Sequence, residues 1–293
     1  MKIKSIKIEN YKILKNFYVE FLDKENNILD LVVLAGINGS GKTTILDFIS
    51  QKYETIYLKA EEKNSDLKVA IKKYIKKKIF KEMISTEKTY KQINDFIESV
   101  FENFPKFKGL DEDENIYFIN EFNEEILIDE LSTGEKGVLE KVIYFFIADI
   151  KDSIVLIDEP ELSLHPSWQN KLIKIYQNIA QNYNNQIIIA THSPNIIAST
   201  PNDSLFVLNK ENKKINIQKY NSYGKDINGV VSEIMGSSIR DIEVEKNLKE
   251  IKRLIFENNF DEAKTKIDNL EINDTIEIGL LKLELRKRIA KSS

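Results

Sequence analysis

A glycine-rich loop that directly follows a run of apolar residues is the feature that most constrains the fold of this chain. Residues 31–35 read Leu-Val-Val-Leu-Ala, and residues 36–43 read Gly-Ile-Asn-Gly-Ser-Gly-Lys-Thr. An apolar run without alternation is typical of a strand buried on both faces of a parallel sheet. Glycines then let the backbone curl until several N–H groups face one anion at a helix N-terminus. The order of strand, loop and helix therefore predicts an α/β fold with a phosphate-binding loop.

The side chains of this loop predict how a nucleotide is held. Lys42 has the reach to contact the outer phosphates, and Thr43 offers a hydroxyl to Mg²⁺. We predict a nucleotide-binding set made of Asn38, Gly39, Ser40, Gly41, Lys42, Thr43 and Thr44.

Two adjacent acids end a second apolar run, at Asp158 and Glu159. An acid at the end of a strand beside a phosphate loop can hold Mg²⁺ through water, which predicts that role for Asp158. The next carboxylate can polarise an attacking water, which predicts a catalytic role for Glu159. The alternative is a pair of helix-capping acids, which the following Pro160 would also fit. The neighbouring phosphate loop favours the catalytic reading.

Composition excludes several classes of protein. Of the 293 residues, 42% are hydrophobic and 31% are charged, which is typical of a globular core, and the formal net charge of −4 does not suggest a surface coated for nucleic acid. The absence of cysteine excludes a disulfide framework and a thiolate metal site. We find neither a secretion signal in the charged N-terminal segment nor an apolar stretch that could span a membrane. We therefore expect a cytoplasmic protein.

The pattern along the chain predicts a core interrupted by an insertion. Residues 2–9 and part of 17–22 alternate and predict a small antiparallel sheet. The segment at about 55–125 predicts a helical lobe, with one amphipathic helix through Leu67, Ile71, Ile75 and Ile79 and another at about 87–103. We favour the interpretation that the lysines of 68–81 form a solvated helix face. The alternative is that they contact a DNA backbone.

The core then resumes with alternating helices and strands. We predict a helix from Gly134 to about Ile150, a strand at 154–158, a helix at about 166–182 and a buried strand at 187–190. A closing hairpin follows at 205–208 and 215–217. The domain prediction is an ATPase domain at 1–225 and a helical region at 226–293, with a helix pair joined near residues 258–259.

Four motifs in this order resemble the ABC-type ATPases of the SMC, RecF and OLD group. They are the loop at 36–43, the signature-like segment Leu131–Glu135, the acidic segment Asp158–Pro166 and Thr191-His192-Ser193. The segment Ile8–Leu14 is similar to the same group. The resemblance implies a P-loop ABC-type ATPase head, a mixed sheet with helices, carrying the inserted lobe and a C-terminal helical appendage. It also implies ATP and Mg²⁺ as cofactors.

The resemblance assigns a role in a dimer to the signature Ser132, Thr133, Gly134 and Glu135. By itself this segment reads as a helix N-cap with a capping box. In the family, that capped N-terminus faces the γ-phosphate held by the other subunit. One loop and one signature in a chain therefore imply a head-to-tail dimer around two ATP molecules. Glu161 and His165 would lie at the dimer seam, where His165 is equally well read as a loop cap.

The resemblance also carries over two basic residues. His192 follows a buried strand at the place of the family's switch residue, where it would contact the γ-phosphate; the alternative is a satisfied histidine at a strand end. Lys12 would lie near the nucleotide. Gln92 is the candidate for the family's Q-loop glutamine.

Differences between this sequence and the members of that group narrow the range of functions that it predicts. The span between loop and signature is too short for the long coiled coils of SMC proteins, and the C-terminal region lacks the strand-borne acids of a Toprim nuclease. The pattern is similar to stand-alone ATPases of Septu-type and retron-associated anti-phage systems, which implies a separately encoded nuclease partner and nucleic acid as a further ligand. The alternatives are a DNA repair or chromosome clamp, a transporter ATPase subunit and an RNase toxin.

Overall fold

A six-stranded sheet, in the order β11-β10-β3-β9-β8-β4, positions the phosphate loop. All five residues of β3 (Leu31–Ala35) are buried, and β9 (Gln186–Thr191) and β10 (Leu205–Glu211) flank this strand in parallel. Strand β8 (Ile154–Asp158) pairs with β9, and β4 (Ile56–Leu58) is the edge beyond it. The antiparallel hairpin of β10 with β11 (Lys214–Lys219) closes the other edge. The predicted mixed sheet, its buried strands and this hairpin are confirmed.

Each face of the sheet carries its own apolar core, because successive strand residues point to opposite sides. On one face Val33 and Val155 pack with helices α4 (Thr133–Ile147) and α5 (Pro166–Asn182). On the other face Val32 and Leu156 pack with helix α1 (Lys42–Lys52) and a two-stranded antiparallel sheet, β1 (Ser5–Tyr11) with β2 (Leu14–Glu20). The sheet is therefore the middle of three layers.

The inserted lobe contains a small sheet in addition to the helices that the sequence predicts. Helix α2 (Leu67–Lys76) continues as a short π-helical segment, Lys77–Lys81, and α3 is Thr86–Val100. After α3 comes a three-stranded antiparallel sheet, β5 (Lys106–Leu110), β6 (Ile116–Ile119) and β7 (Glu125–Leu127). These strands are not predictable from the sequence because they are only three to five residues long and alternate weakly.

A second compact unit, Gly236–Ser293, follows the first unit, Met1–Met235. It contains α7 (Ile242–Phe256), α8 (Phe260–Asp268) and α9 (Ile276–Ser292), with a separate apolar cluster that includes Leu248, Ile251 and Leu281. The predicted helix pair joined near residues 258–259 is formed by α7 and α8, and α9 follows it within the described residues. In the first unit, the short α6 (Pro194–Ser199) follows β9.

The computed structural model describes residues 2–59, 66–211, 214–220, 229, 234, 242–269 and 276–292. The predicted domain boundary at 225/226 lies outside these residues and stays a prediction. None of the helices in the described ranges is long and apolar enough to cross a bilayer.

Candidate functional site

The carboxyl ends of three neighbouring strands bring the predicted site residues to one edge of the sheet. Strand register pairs Ala35 with Thr191 and Asp158 with Ala190. The phosphate loop, His192 and Glu159 each begin directly after these positions. Because parallel strands end at the same edge, residues far apart in sequence meet there. The crevice at this edge is where doubly wound sheets bind ligands.

The loop backbone takes conformations that only glycine adopts easily. Gly39 and Gly41 have φ angles of 76° and 100°, and a Cβ on Gly41 would lie 2.8 Å from Cδ1 of Ile215. Gly41 is also the residue that precedes α1, so the curled backbone ends at a helix N-terminus. This is the local geometry that binds phosphate through N–H groups.

Lys42 lies inside the loop, although it carries a charged amine. Its Nζ donates to the carbonyls of Gly36 at 2.7 Å and Ile37 at 3.1 Å. Burial lowers the pKa of the amine, while the negative charges of Glu159 and Asp158 act in the opposite direction. The two carbonyls therefore hold the ammonium just beyond the end of β3. A phosphate oxygen could replace them as the acceptor of its hydrogen bonds.

Two buried oxygens beside the loop have no hydrogen-bond partner within the described residues. They are Oγ of Ser40 and Oδ1 of Asp158. Burial raises the pKa of Asp158, and the hydroxyl of Thr43 acts in the opposite direction. A hydroxyl next to a carboxylate oxygen without a partner is the kind of hard-oxygen donor set with which a protein holds Mg²⁺. Water and phosphates supply the remaining ligands of the metal. Thr43 and Asp158 thus fit Mg²⁺.

Glu159 and His192 form a pair at the same edge. Nδ1 of His192 lies 2.8 Å from Oε1 of Glu159, and both side chains are partly exposed. An ionised carboxylate only accepts, so His192 donates through Nδ1 in this contact. Glu159 has a φ of 49°, which is uncommon outside glycine, and its N–H donates to the carbonyl of Ala190 at 2.9 Å. The backbone of Glu159 is thereby held in a strained conformation at the site.

Glu161 lies behind this pair and is only 5% exposed. Its Oε1 accepts hydrogen bonds from the Thr191 hydroxyl and from the N–H groups of His192 and Ser193. The Glu161 carboxylate therefore accepts these hydrogen bonds from groups of its own chain. The predicted place of Glu161 at a dimer seam stays a prediction.

The signature segment begins helix α4 with the predicted capping box. The hydroxyl of Ser132 accepts from the N–H of Glu135 at 3.2 Å, and the Glu135 carboxylate accepts from the N–H of Ser132 at 2.7 Å. Ser132 and Thr133 are exposed. A Cβ on Gly134 would overlap with the indole ring of Trp168. This glycine therefore permits the close approach of α5 to the start of α4.

Three further candidates have local partners. His165 is the N-cap of α5, with Nδ1 accepting from the N–H of Ser167 at 3.3 Å, as the capping reading predicts. Lys12 pairs with Asp47 of α1 at 2.8 Å. Gln92 lies on α3 in the lobe, where it accepts from Tyr74. The predicted roles of Lys12 and Gln92 at the nucleotide stay predictions.

The sequence analysis missed two aromatic residues at this site. Tyr57, on β4, carries a buried hydroxyl beside Asp158, and burial followed by the charge of Asp158 raises its pKa. Trp168 is the single tryptophan of the chain, and it lies one turn into α5. The feature of the sequence that could have drawn attention to Trp168 is its position two residues after Pro166. Tyr57 gave no signal, because only strand pairing brings it next to Asp158.

Comparisons with known proteins agree with this arrangement. Residues 1–55 match the family described as "AAA ATPase domain", and residues 54–198 match "AAA domain, putative AbiEii toxin, Type IV TA system". The Septu protein PtuA of Bacillus thuringiensis is 28% identical over 47% of this chain and 39% of its own length. The Retron Ec83 probable ATPase of Escherichia coli is 27% identical over 79% of this chain and 46% of its own length. The chain thus spans less than half of either relative.

A solved structure extends the comparison to the fold. The SMC head domain from Thermotoga maritima superposes with a TM-score of 0.51 at 16% identity, over 75% of this chain and all of that one. The sheet, loop and helices of this chain therefore share the fold of that head domain.

Proposed function

We propose that this chain, whose residues 1–55 and 54–198 match models of AAA ATPase domains, binds ATP with Mg²⁺ and hydrolyses it between two subunits. The observation that supports hydrolysis most directly is the Glu159–His192 pair at 2.8 Å, at the sheet edge that also carries the phosphate loop. A carboxylate at that place can take a proton from water, and an imidazole beside it can contact the phosphate that leaves.

Each group has a distinct part in the proposed reaction. The N–H groups of the loop and the amine of Lys42 bind the phosphates. Thr43 and Asp158 hold Mg²⁺, which neutralises charge on the transferred phosphoryl group when it is bound. Glu159 orients and deprotonates the attacking water. With both ring nitrogens protonated, His192 donates through Nδ1 to the Glu159 carboxylate and through its other ring N–H to the γ-phosphate.

The dimer is proposed from the exposed start of α4. Ser132 and Thr133 are exposed at a capped helix N-terminus, whose dipole favours an anion. In the proposed head-to-tail dimer this N-terminus binds the γ-phosphate held by the partner, and Glu161 and His165 lie close to the seam. ATP closes the dimer and hydrolysis opens it.

We further propose that the opening and closing controls an effector in anti-phage defence, in the cytoplasm. The similarity to a Septu protein and a retron ATPase favours this role, and a separately encoded nuclease is the expected partner. The alternative is a DNA repair or chromosome clamp, which the similarity to an SMC head would equally fit. A transporter subunit and an RNase toxin are the remaining alternatives.

The decisive variant is Glu159→Gln, because it keeps the shape of the side chain and removes the base. ATP affinity should stay near that of the wild type, turnover should fall at least about 100-fold, and light scattering should detect a dimer that persists with ATP. Glu121→Gln, an exposed change on the β6–β7 turn, is the matched control and should behave as the wild type. Near-normal turnover of the Glu159 variant would refute the proposed base.

The same variant identifies the partner. Purified with ATP from its native host, Glu159→Gln should retain a stoichiometric nuclease, which mass spectrometry would identify. Recovery of a dimer with DNA and no second protein would instead favour the repair clamp.

Nucleic acid is proposed to bind a lysine groove on the lobe. This groove of about 600 Å³ is lined by Val69, Lys72, Lys73, Lys76, Lys77, Phe80 and Lys81. Glu114 pairs with Lys76 and Glu82 with Lys77, so part of the charge is balanced. Phe80 is 70% exposed among the lysines, which suits a single strand whose phosphates meet the amines and whose bases stack.

Fluorescence anisotropy with labelled single-stranded DNA and RNA tests this groove. Lys73→Glu with Lys81→Glu should weaken binding and reduce the slope of log affinity against log salt by about 1.4, since each lost phosphate contact on a single strand removes about 0.7. Lys88→Glu with Lys264→Glu makes the same change of charge elsewhere and should leave the slope unaltered. Equal losses in both pairs would mean that only net charge matters and that the groove is a solvated face.

A further inference from the structure

A buried carboxylate lies behind the hydrolytic pair and has no role in the function proposed so far. Glu161 is 5% exposed, and burying a carboxylate is costly unless hydrogen bonds compensate for the lost water. The compensation comes from one short stretch, Thr191–Ser193, which we call the switch turn. Its three donors converge on one oxygen, Oε1: the Thr191 hydroxyl, and two N–H groups at 3.2 Å each.

These hydrogen bonds determine where the His192 ring lies. The N–H of His192 is held by Glu161, while its Nδ1 lies 2.8 Å from Glu159 and 3.9 Å from Glu161. Glu161 thus anchors the backbone of His192, and Glu159 anchors its ring. A shift of the switch turn would carry the imidazole away from Glu159.

The switch turn does not use the second oxygen of Glu161. Oε2 is buried and has no hydrogen-bond partner within the described residues. Burial lowers the pKa of Lys141, and the negative charge of Glu161 is the larger of the two carboxylate effects that oppose this shift. Lys141 lies on α4, the helix that begins at the signature. The Glu161 carboxylate and the Lys141 amine are therefore close enough to interact electrostatically.

A packing contact joins the same two elements. A Cβ on Gly137 of α4 would lie only 2.9 Å from Cδ2 of Leu164, in the segment that carries Glu161. Gly137 thus lets the acidic segment approach α4 closely. A charge and an apolar contact both couple this segment to the signature helix.

We propose that Glu161 is a positioning residue, which holds the switch turn in register with Glu159 and links this turn, through Lys141, to the helix that begins at the signature. The proposal rests on the function proposed above. In a head-to-tail dimer, the signature faces one nucleotide and the switch turn of the same chain faces the other. Glu161 then connects the two ATP sites within each subunit.

The first experiment compares Glu161→Ala with Glu161→Gln. The alanine removes the acceptor and should lower kcat by about 100-fold, because a displacement of about 1 Å at a reacting group has that effect. ATP affinity, measured with a fluorescent analogue, should change little, because the phosphate loop is untouched. The glutamine keeps an oxygen acceptor and should recover kcat to within about tenfold of the wild type.

Thr191→Val covers the case in which the alanine variant does not fold. It removes one donor to Oε1 and keeps the shape of a fully buried side chain. We expect an intermediate kcat and unchanged ATP affinity. Equal turnover in the wild type, Glu161→Gln and Thr191→Val would overturn the proposal, as would a loss of ATP affinity as large as the loss of kcat.

A double-variant cycle tests the link to α4. Lys141→Met should lower kcat in the wild type and have no further effect in Glu161→Gln, because both changes remove the same electrostatic interaction. Losses that multiply would refute the link. Glu140→Gln is the matched control: this exposed neighbour also faces Lys141, and its loss should leave kcat unaltered.

The outcome separates this proposal from the proposed function. If Glu159→Gln abolishes turnover and the Glu161 variants hydrolyse ATP normally, only the positioning role fails. If the wild type does not hydrolyse ATP, or Glu159→Gln is fully active, the proposed function itself fails.

Discussion

At the scale of single residues, the signature glycine is explained by its neighbour. Gly134 has an ordinary helical backbone, so its small size matters and its conformational freedom does not. The indole of Trp168 occupies the space in which a Cβ would lie. The amine of Lys171 also lies over the indole ring of Trp168, 4.8 Å from its centroid. The signature is thus packed against the start of α5.

Gly134→Ala should therefore destabilise the protein. Overpacking of a well-filled contact costs about 1–3 kcal/mol, even though alanine favours a helix. Trp168 is the only tryptophan, so its fluorescence should report the displaced ring during chemical unfolding. Gly279→Ala is the control, because a Cβ there meets nothing within 4 Å in α9, and it should stabilise by about 0.5–1 kcal/mol. A stabilised Gly134 variant would contradict the packing argument.

At the scale of elements, two helices begin with the same kind of cap but in different places. Ser132 caps α4 and Ser85 caps α3, each with a hydroxyl that accepts from the N–H three residues later. Only the first cap lies in the signature. The pair separates the structural effect of a cap from an effect on the reaction.

Ser132→Ala and Ser85→Ala should each lower the free energy of unfolding by about 1 kcal/mol. ATP turnover should fall only in Ser132→Ala, by about tenfold or more, because the α4 N-terminus is proposed to bind the partner's γ-phosphate. The measurements are urea unfolding and steady-state hydrolysis. If both variants lose turnover equally, the loss reflects stability, and the role of the signature in trans is refuted.

At the scale of the whole molecule, the apolar cores divide the chain. The two clusters of the first unit share the central sheet, whereas the cluster around Ile251 contains only residues of α7, α8 and α9. A unit with its own core can fold independently. The residues of the proposed ATP site lie in the first unit.

A chain that ends at Met235 should therefore fold and bind ATP with the affinity of the full-length chain. Calorimetry should detect its transition at the temperature of the main transition of the full-length protein. Failure of the shortened chain to melt cooperatively would mean that the helices of residues 242–292 are needed for the fold of the ATPase unit. Retained ATP binding with lost partner binding would assign those helices to the effector.

The phosphate loop was predictable from sequence because its physics is local. Glycines, a buried strand and a helix start lie within a few residues of one another around Lys42, so their pattern is visible along the chain. The same holds for the capping box of Ser132 and Glu135, whose hydrogen bonds span three residues. The strands β5, β6 and β7 escaped prediction because their pairing, and not their own pattern, stabilises them.

By itself, the sequence determined the type of fold and the groups of the proposed phosphate site, because buried strands, glycine turns and helix caps are stabilised by near neighbours. Only the tertiary structure decided how Glu159, Glu161 and His192 share one set of hydrogen bonds, and why Gly134 faces Trp168. Those contacts join residues more than 30 positions apart, and they depend on strand order and helix packing. No local pattern encodes such distances, because they follow from the sheet register that the whole first unit stabilises.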